Sequence, residues 1–232
     1  MKKRFYPDQI LVALSGLAAA VLHRVSLTHI DEKGLYISAD PTYWGVQLLL
    51  AACGAFVLLR LRRQGRGNDR GSNYPPSALR GITGLAAGVL LALHGVMQEG
   101  VYVIAAPVAG LCIALDSLPH FKGEGGWPGF ACVVNVFFIV NLILSFRGWS
   151  SEPQLRAYAV ELLACIALEL LAYHRAAWAA GMGKRRPTLF FAQAALCLCL
   201  CAAGAARPEF YAAGALWAVS ACPVLGEVEP PR

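Results

Sequence analysis

Eight stretches of the chain, at about 8–28, 43–60, 79–97, 101–118, 127–147, 155–175, 187–206 and 208–225, are apolar enough to be read as helices crossing a bilayer. Spanning the hydrocarbon core takes ~20 such residues in a helix. The second, fourth and eighth are short, and Pro223 interrupts the end of the eighth. Of the 232 residues, 57% are hydrophobic and 15% charged, with a mean hydropathy of +0.54. Soluble domains carry about a quarter charged residues. A single globular core of this size still needs a polar shell, which this composition does not supply. The expectation is an all-α, polytopic transmembrane bundle of about eight spans, forming one integral membrane domain over 1–232.

Charge sets the expected orientation. With the N-terminus inside, Lys2, Lys3, Arg4, Arg60, Arg62, Arg63, Arg66, Arg70, Arg80, Lys122, Arg175, Lys184, Arg185, Arg186 and Arg232 face the cytoplasm. Only Arg24, Lys33, Arg147, Arg156 and Arg207 face out. This asymmetry fits the positive-inside rule with both termini cytoplasmic. It accounts for the net charge of +6 without nucleic acid as a partner. Arg60, Arg62, Arg63, Lys184, Arg185 and Arg186 are candidates for contact with anionic lipid head groups at the cytoplasmic face of the bilayer. The basic start "MKKR" and the apolar run behind it resemble a signal peptide, but the run outlasts the usual core and ends in "LHRVSLTH". It is read as the first span. The expected residence is a bacterial cell membrane.

All eight cysteines lie in the apolar segments and none forms C-x-x-C. In "CLCLC", Cys197 and Cys201 share a helix face while Cys199 points nearly opposite. No metal site is expected from them. Neither "KGEGGWPG" nor "GMGKRRPT" has the spacing of a phosphate-binding loop, and H-E-x-x-H and G-x-S-x-G are missing. No catalytic residue and no cofactor are expected, and no motif ties the chain to a named family. The tight turns "MQEGVY" and "AARPEF" match in place and suggest a four-plus-four helix duplication, 1–120 and 125–226. Small residues in "SGLAAA", "GITGLAAG" and "AQAALCLCLCAAGAA" predict close helix packing.

The chemistry worth following sits in "RAYAVELLACIALELLAYHR", residues 156–175. With Glu161 as zero and about 100° per residue, Cys165, Tyr158, Glu169, Ala172 and Tyr173 share one arc. That arc is expected to face the bundle, with Leu162, Leu163, Ile166, Leu170 and Leu171 toward lipid. Acidic groups at this depth need a partner, a shifted pKa or a hydrated cavity. By depth, His94 is the expected partner of Glu161, and Asp116 that of Glu169. On the fifth segment, Asn141 and Ser145 lie one turn apart and can share a neighbour, whereas Asn135 cannot join them. His23, Arg24, His174 and Arg175 are expected at the interfaces.

Glu161, Glu169, Tyr158, Tyr173, His94 and Asp116 are therefore candidates for lining an ion or solute path in a small-solute or proton-coupled permease. Two alternatives stay open. The same groups cross-link helices in a non-catalytic subunit or assembly factor, or Asp116 and His120 belong to a membrane enzyme that modifies lipid head groups.

Overall fold

In the computed structural model the described residues are 7–29, 40–62, 73–123, 126–149, 155–204 and 207–223. They form eight α-helices: α1 (Pro7–Ser26), α2 (Pro41–Arg62), α3 (Ala78–Val96), α4 (Tyr102–Ser117), α5 (Pro128–Trp149), α6 (Leu155–Ala179), α7 (Arg185–Ala202) and α8 (Pro208–Ala221). A 3₁₀ turn, Leu118–Phe121, continues α4. Among the described residues there is no strand. The first six helices are long and apolar enough to cross a membrane.

Local sequence explains where the helices begin. Pro41, Pro128 and Pro208 open α2, α5 and α8, where proline's missing N–H costs nothing and its fixed φ is already helical. The Asp40 carboxylate accepts from the Thr42 backbone N–H at 2.9 Å, and Ser77 Oγ accepts from the Arg80 N–H at 3.4 Å. Each cap satisfies a donor that the first turn leaves open.

Helices α3 to α8 close a ring, each packing on the next and α8 packing back on α3, with further contacts from α8 to α6. The α1–α2 hairpin leans on the outside of α7. Thus α7 and α8 lie inside the assembly, and most of their residues are buried. An interior helix needs neither a full lipid-spanning length nor a uniformly apolar surface, which explains the 18 and 14 residues of α7 and α8. As for the expected duplication, α1 packs on α2 and α7, whereas its counterpart α5 lies between α4 and α6.

Backbone-to-backbone approach holds the α3–α4 hairpin together. A Cβ on Gly88 would meet the Gly110 carbonyl oxygen at 2.4 Å, and one on Gly110 would meet the Gly88 oxygen at the same distance. In a bilayer, where hydrophobic exclusion does not drive helices together, such closeness supplies the association through dispersion.

The turn at 97–101, the end of α7 and the start of α8 mark one end of the bundle, called here the hairpin end. The 3₁₀ turn and residues 180–184 mark the other, the linker end. There Arg60 of α2 pairs with Asp8 of α1 at 3.1 Å.

Helix α6 is rotated from its expected setting. Leu168 and Leu171 are fully buried and Tyr173 is 55% exposed. The buried stripe does contain Glu161, Cys165 and Ala172, while Glu169 is only half-buried. Arg175, expected at the interface, is buried in the protein. The reason is a tertiary partner, described next.

Candidate functional site: two buried ionic networks

At the hairpin end, Glu161 near the start of α6 meets Arg207 and Tyr211 of α8. Tyr211 Oη donates to Glu161 Oε2 at 3.1 Å, and Arg207 Nη2 lies 3.6 Å from the same oxygen. Arg207 Nη2 also donates to Tyr211 Oη at 3.3 Å, while its Nη1 donates to Ser145 Oγ of α5 at 3.2 Å. Arg207 is the residue that caps the start of α8, and the Tyr211 backbone N–H donates to its carbonyl at 3.2 Å, which holds the two residues together. Arg207 holds a left-handed backbone, φ 47°, uncommon for a residue with a side chain. Its guanidinium carbon sits 5.5–5.7 Å from the ring centres of Trp149, Phe210 and Tyr211, within cation–π range.

The network extends inward. Cys165 Sγ lies 3.9 Å from Tyr211 Oη and accepts from Asn141 Nδ2 at 3.6 Å. Asn141 Oδ1 in turn accepts from Tyr102 Oη of α4 at 3.3 Å. Four helices thus share one continuous polar chain from Tyr102 to Arg207. Asn141 and Ser145 do face the same side, as their spacing predicts, and both are buried.

At the linker end, Arg175 of α6 donates to Asp116 of α4 at 2.5 Å, and both residues are buried. Tyr74 stands beside them, with the guanidinium carbons of Arg80 and Arg175 at 4.5 and 5.1 Å from its ring centre. Its hydroxyl donates to the Ala221 carbonyl at 3.2 Å. Burial pushes the Tyr74 phenol above its ordinary pKa, against the opposing pull of Arg175 and Arg80, so it serves as a neutral donor. Arg80 and Ser220 bond reciprocally: Arg80 Nε donates to the Ser220 carbonyl at 3.1 Å and Ser220 Oγ to the Arg80 carbonyl at 2.8 Å. Trp178 packs edge-on to Tyr74 and donates to Thr188 Oγ1 at 2.9 Å. His120 stacks on the far side, 6.4 Å from the Tyr74 ring centre.

Between the two networks apolar side chains fill the ring. Phe138 stacks on Trp217 at 5.2 Å and meets Phe210 edge-on at 6.3 Å, and Leu91 and Leu168 are buried with them. Along α6, the fourteen residues from Glu161 to Arg175 amount to about 21 Å.

The structure places the other candidates around these networks. His94 is buried against Phe210, 5.5 Å between ring centres, so it borders the Glu161 network while Arg207 and Tyr211 hold the carboxylate. Tyr158 stacks flat on Trp149 at 5.6 Å. Asp116 is paired with Arg175 rather than Glu169. Of the basic residues, Arg60, Arg62 and Lys184 are exposed, Arg186 is half-buried and Arg185 is 1% exposed; Arg63 lies outside the described residues. No group of three or more metal-ligating side chains occurs among the described residues. The Cys199 sulfur approaches Gly214 of α8, whereas the backbone of Cys197 approaches Gly16 of α1. Sequence reasoning missed Arg207, Tyr211, Tyr74, Arg80 and Arg175 as partners.

Comparison with family models, curated proteins and solved structures gives no match, so the reading of the site rests on its geometry.

Proposed function

We propose that the chain is an eight-span protein of a bacterial cell membrane, with both termini cytoplasmic, acting as a small-solute or proton-coupled permease. The hairpin end is then outside and the linker end inside. One observation carries the reading: a buried ionic network stands at each end of the same helical ring, with an aromatic plug between them. Intramembrane charges are costly and mark paths by default. In this reading Glu161 and Arg207 form the outer station, Asp116 and Arg175 the inner one, and passage requires the Phe138–Trp217 stack to part. Arg60, Arg62 and Lys184, exposed at the linker end, meet anionic head groups.

The test is flux in proteoliposomes with an internal pH dye, comparing wild type with Glu161→Gln. Loss of proton or co-solute movement supports the proposal; unchanged flux removes it. The cross-linking reading has its own support in the reciprocal Arg80–Ser220 bonds, which tie α3 to α8. It expects Glu161→Gln to lower thermal stability while flux stays absent in both proteins.

A further inference from the structure

A cavity of about 330 Å³ opens between α2, α6 and α7, away from both ionic networks. Leu50, Val57, Leu163, Phe190 and Leu198 make its apolar wall, and Gln47 and Gln193 contribute polar side chains to the lining. The neighbouring surface is the lipid-facing side of α2 and α6: Leu48, Leu58, Leu59 and Leu163 are 47–70% exposed. No charged side chain lines it.

Gln193 is the anomaly. It is 2% exposed, and its Oε1 is buried with no hydrogen-bond partner among the described residues. It lies eight residues into α7, about 12 Å from the start of a helix about 27 Å long, so near the middle of the hydrocarbon layer. Water does not reach that depth from the lipid side, and an unmade hydrogen bond there is expensive. Cavities of this size belong to the range that takes small molecules, with a mostly apolar wall and few fixed polar groups.

We infer that this cavity is a binding site for a neutral lipophilic alcohol, a hydrocarbon chain ending in a hydroxyl, entering from the bilayer and donating to Gln193 Oε1. The wall excludes a charged head group, because nothing there would neutralise one. A hydroxyl both donates and accepts, so it serves whichever face of the Gln193 amide points inward. At about 30 Å³ per water-sized group, the space holds on the order of ten non-hydrogen atoms, a medium-chain alcohol.

The probe is a diazirine-tagged 1-decanol, photolysed with the full chain in phosphatidylcholine nanodiscs, and the labelled peptides are mapped by mass spectrometry. Untagged 1-decanol, decyl methyl ether and decane compete. The expected result is labelling concentrated on α2, α6 and α7 peptides, with decanol competing about tenfold better than ether or alkane, the difference one hydrogen bond makes. Gln193→Leu should erase that preference, and Ala194→Trp, which fills the cavity, should erase the labelling. If Gln193→Leu does not fold, judged by gel filtration, Ala194→Phe and the competition series still decide. Labelling spread evenly over lipid-facing helices, or equal competition by decane, would overturn the inference, since the space then holds only hydrocarbon.

Discussion

The Tyr211 hydroxyl stands between two charges: it donates to Glu161 Oε2 at 3.1 Å and accepts from Arg207 Nη2 at 3.3 Å. The phenol belongs to α8, the guanidinium to the residue that caps its start, and the carboxylate to α6. A single carboxylate therefore clamps α8 at its first turn, where Arg207 also adopts its left-handed backbone. The consequence is a locked hairpin end whose stability draws on all three groups.

Replacing Tyr211 with Phe removes the donor and leaves the ring. Hydrogen bonds to charged groups contribute about 1.5–3 kcal/mol, so Tyr211→Phe should lower stability by about that much. Glu161→Gln should lower it less, because Arg207 is a quarter exposed and turns toward water. Thermal unfolding in detergent, followed by circular dichroism, orders the two variants.

The Asp116–Arg175 pair at the linker end predicts a larger and asymmetric effect. Both side chains are buried, 11% and 4% exposed, and breaking such a pair from one side costs about 3–5 kcal/mol because a charge stays unpaired. Asp116→Ala should cost the most, since Arg175 then faces the Arg80 guanidinium across Tyr74. The double change Asp116→Ala with Arg175→Leu should recover most of the loss. A double-mutant cycle on unfolding free energies measures the coupling; additive losses would mean the pair does not act as one.

How far the sequence could be read depends on what a bilayer rewards. The helices fall where apolar length puts them: 79–97 against Ala78–Val96, and 127–147 against Pro128–Trp149. Which face each helix turns inward is another matter. Leucine is as comfortable against lipid as against another helix, so Leu168 and Leu171 gave no orienting signal, and the polar residues alone set the expected angle of α6. The structure turns that helix until Arg175 reaches Asp116 and the two leucines close the ring. Glu161 stood out as a buried charge in an apolar run. Its partner did not, because Arg207 lies 46 residues away at a turn, where an arginine reads as a surface residue.

Gly88 and Gly110 are predicted to tolerate no larger residue. A methyl group at either position meets the opposing backbone oxygen at 2.4 Å, and backbone cannot step aside as a side-chain tip does. Overpacking costs about 1–3 kcal/mol in ordinary cores, and separating two helices that touch through their backbones costs the packing along the whole contact. Gly88→Val should reduce the folded fraction recovered in detergent, measured by gel filtration. Gly54, which has open space around it, should accept Ala without loss and serves as the control.

Thiol labelling tests the burial pattern as a whole. Cys132 is the one exposed cysteine of the eight, and the other seven are buried. It lies four residues into α5, about 6 Å from the linker end, where water still reaches the headgroup region. A maleimide must reach the sulfur, so Cys132, exposed near a helix end, is open to it and Cys199, fully buried between helices, is not. A lipid-permeant maleimide should modify Cys132 first in the folded protein, with the interior thiols reacting only after denaturation. Mass spectrometry of tryptic peptides resolves the order. Early labelling of Cys199 or Cys165 would mean that the ring interior is hydrated, and the packing of α8 between α3 and α7 would have to be abandoned with it.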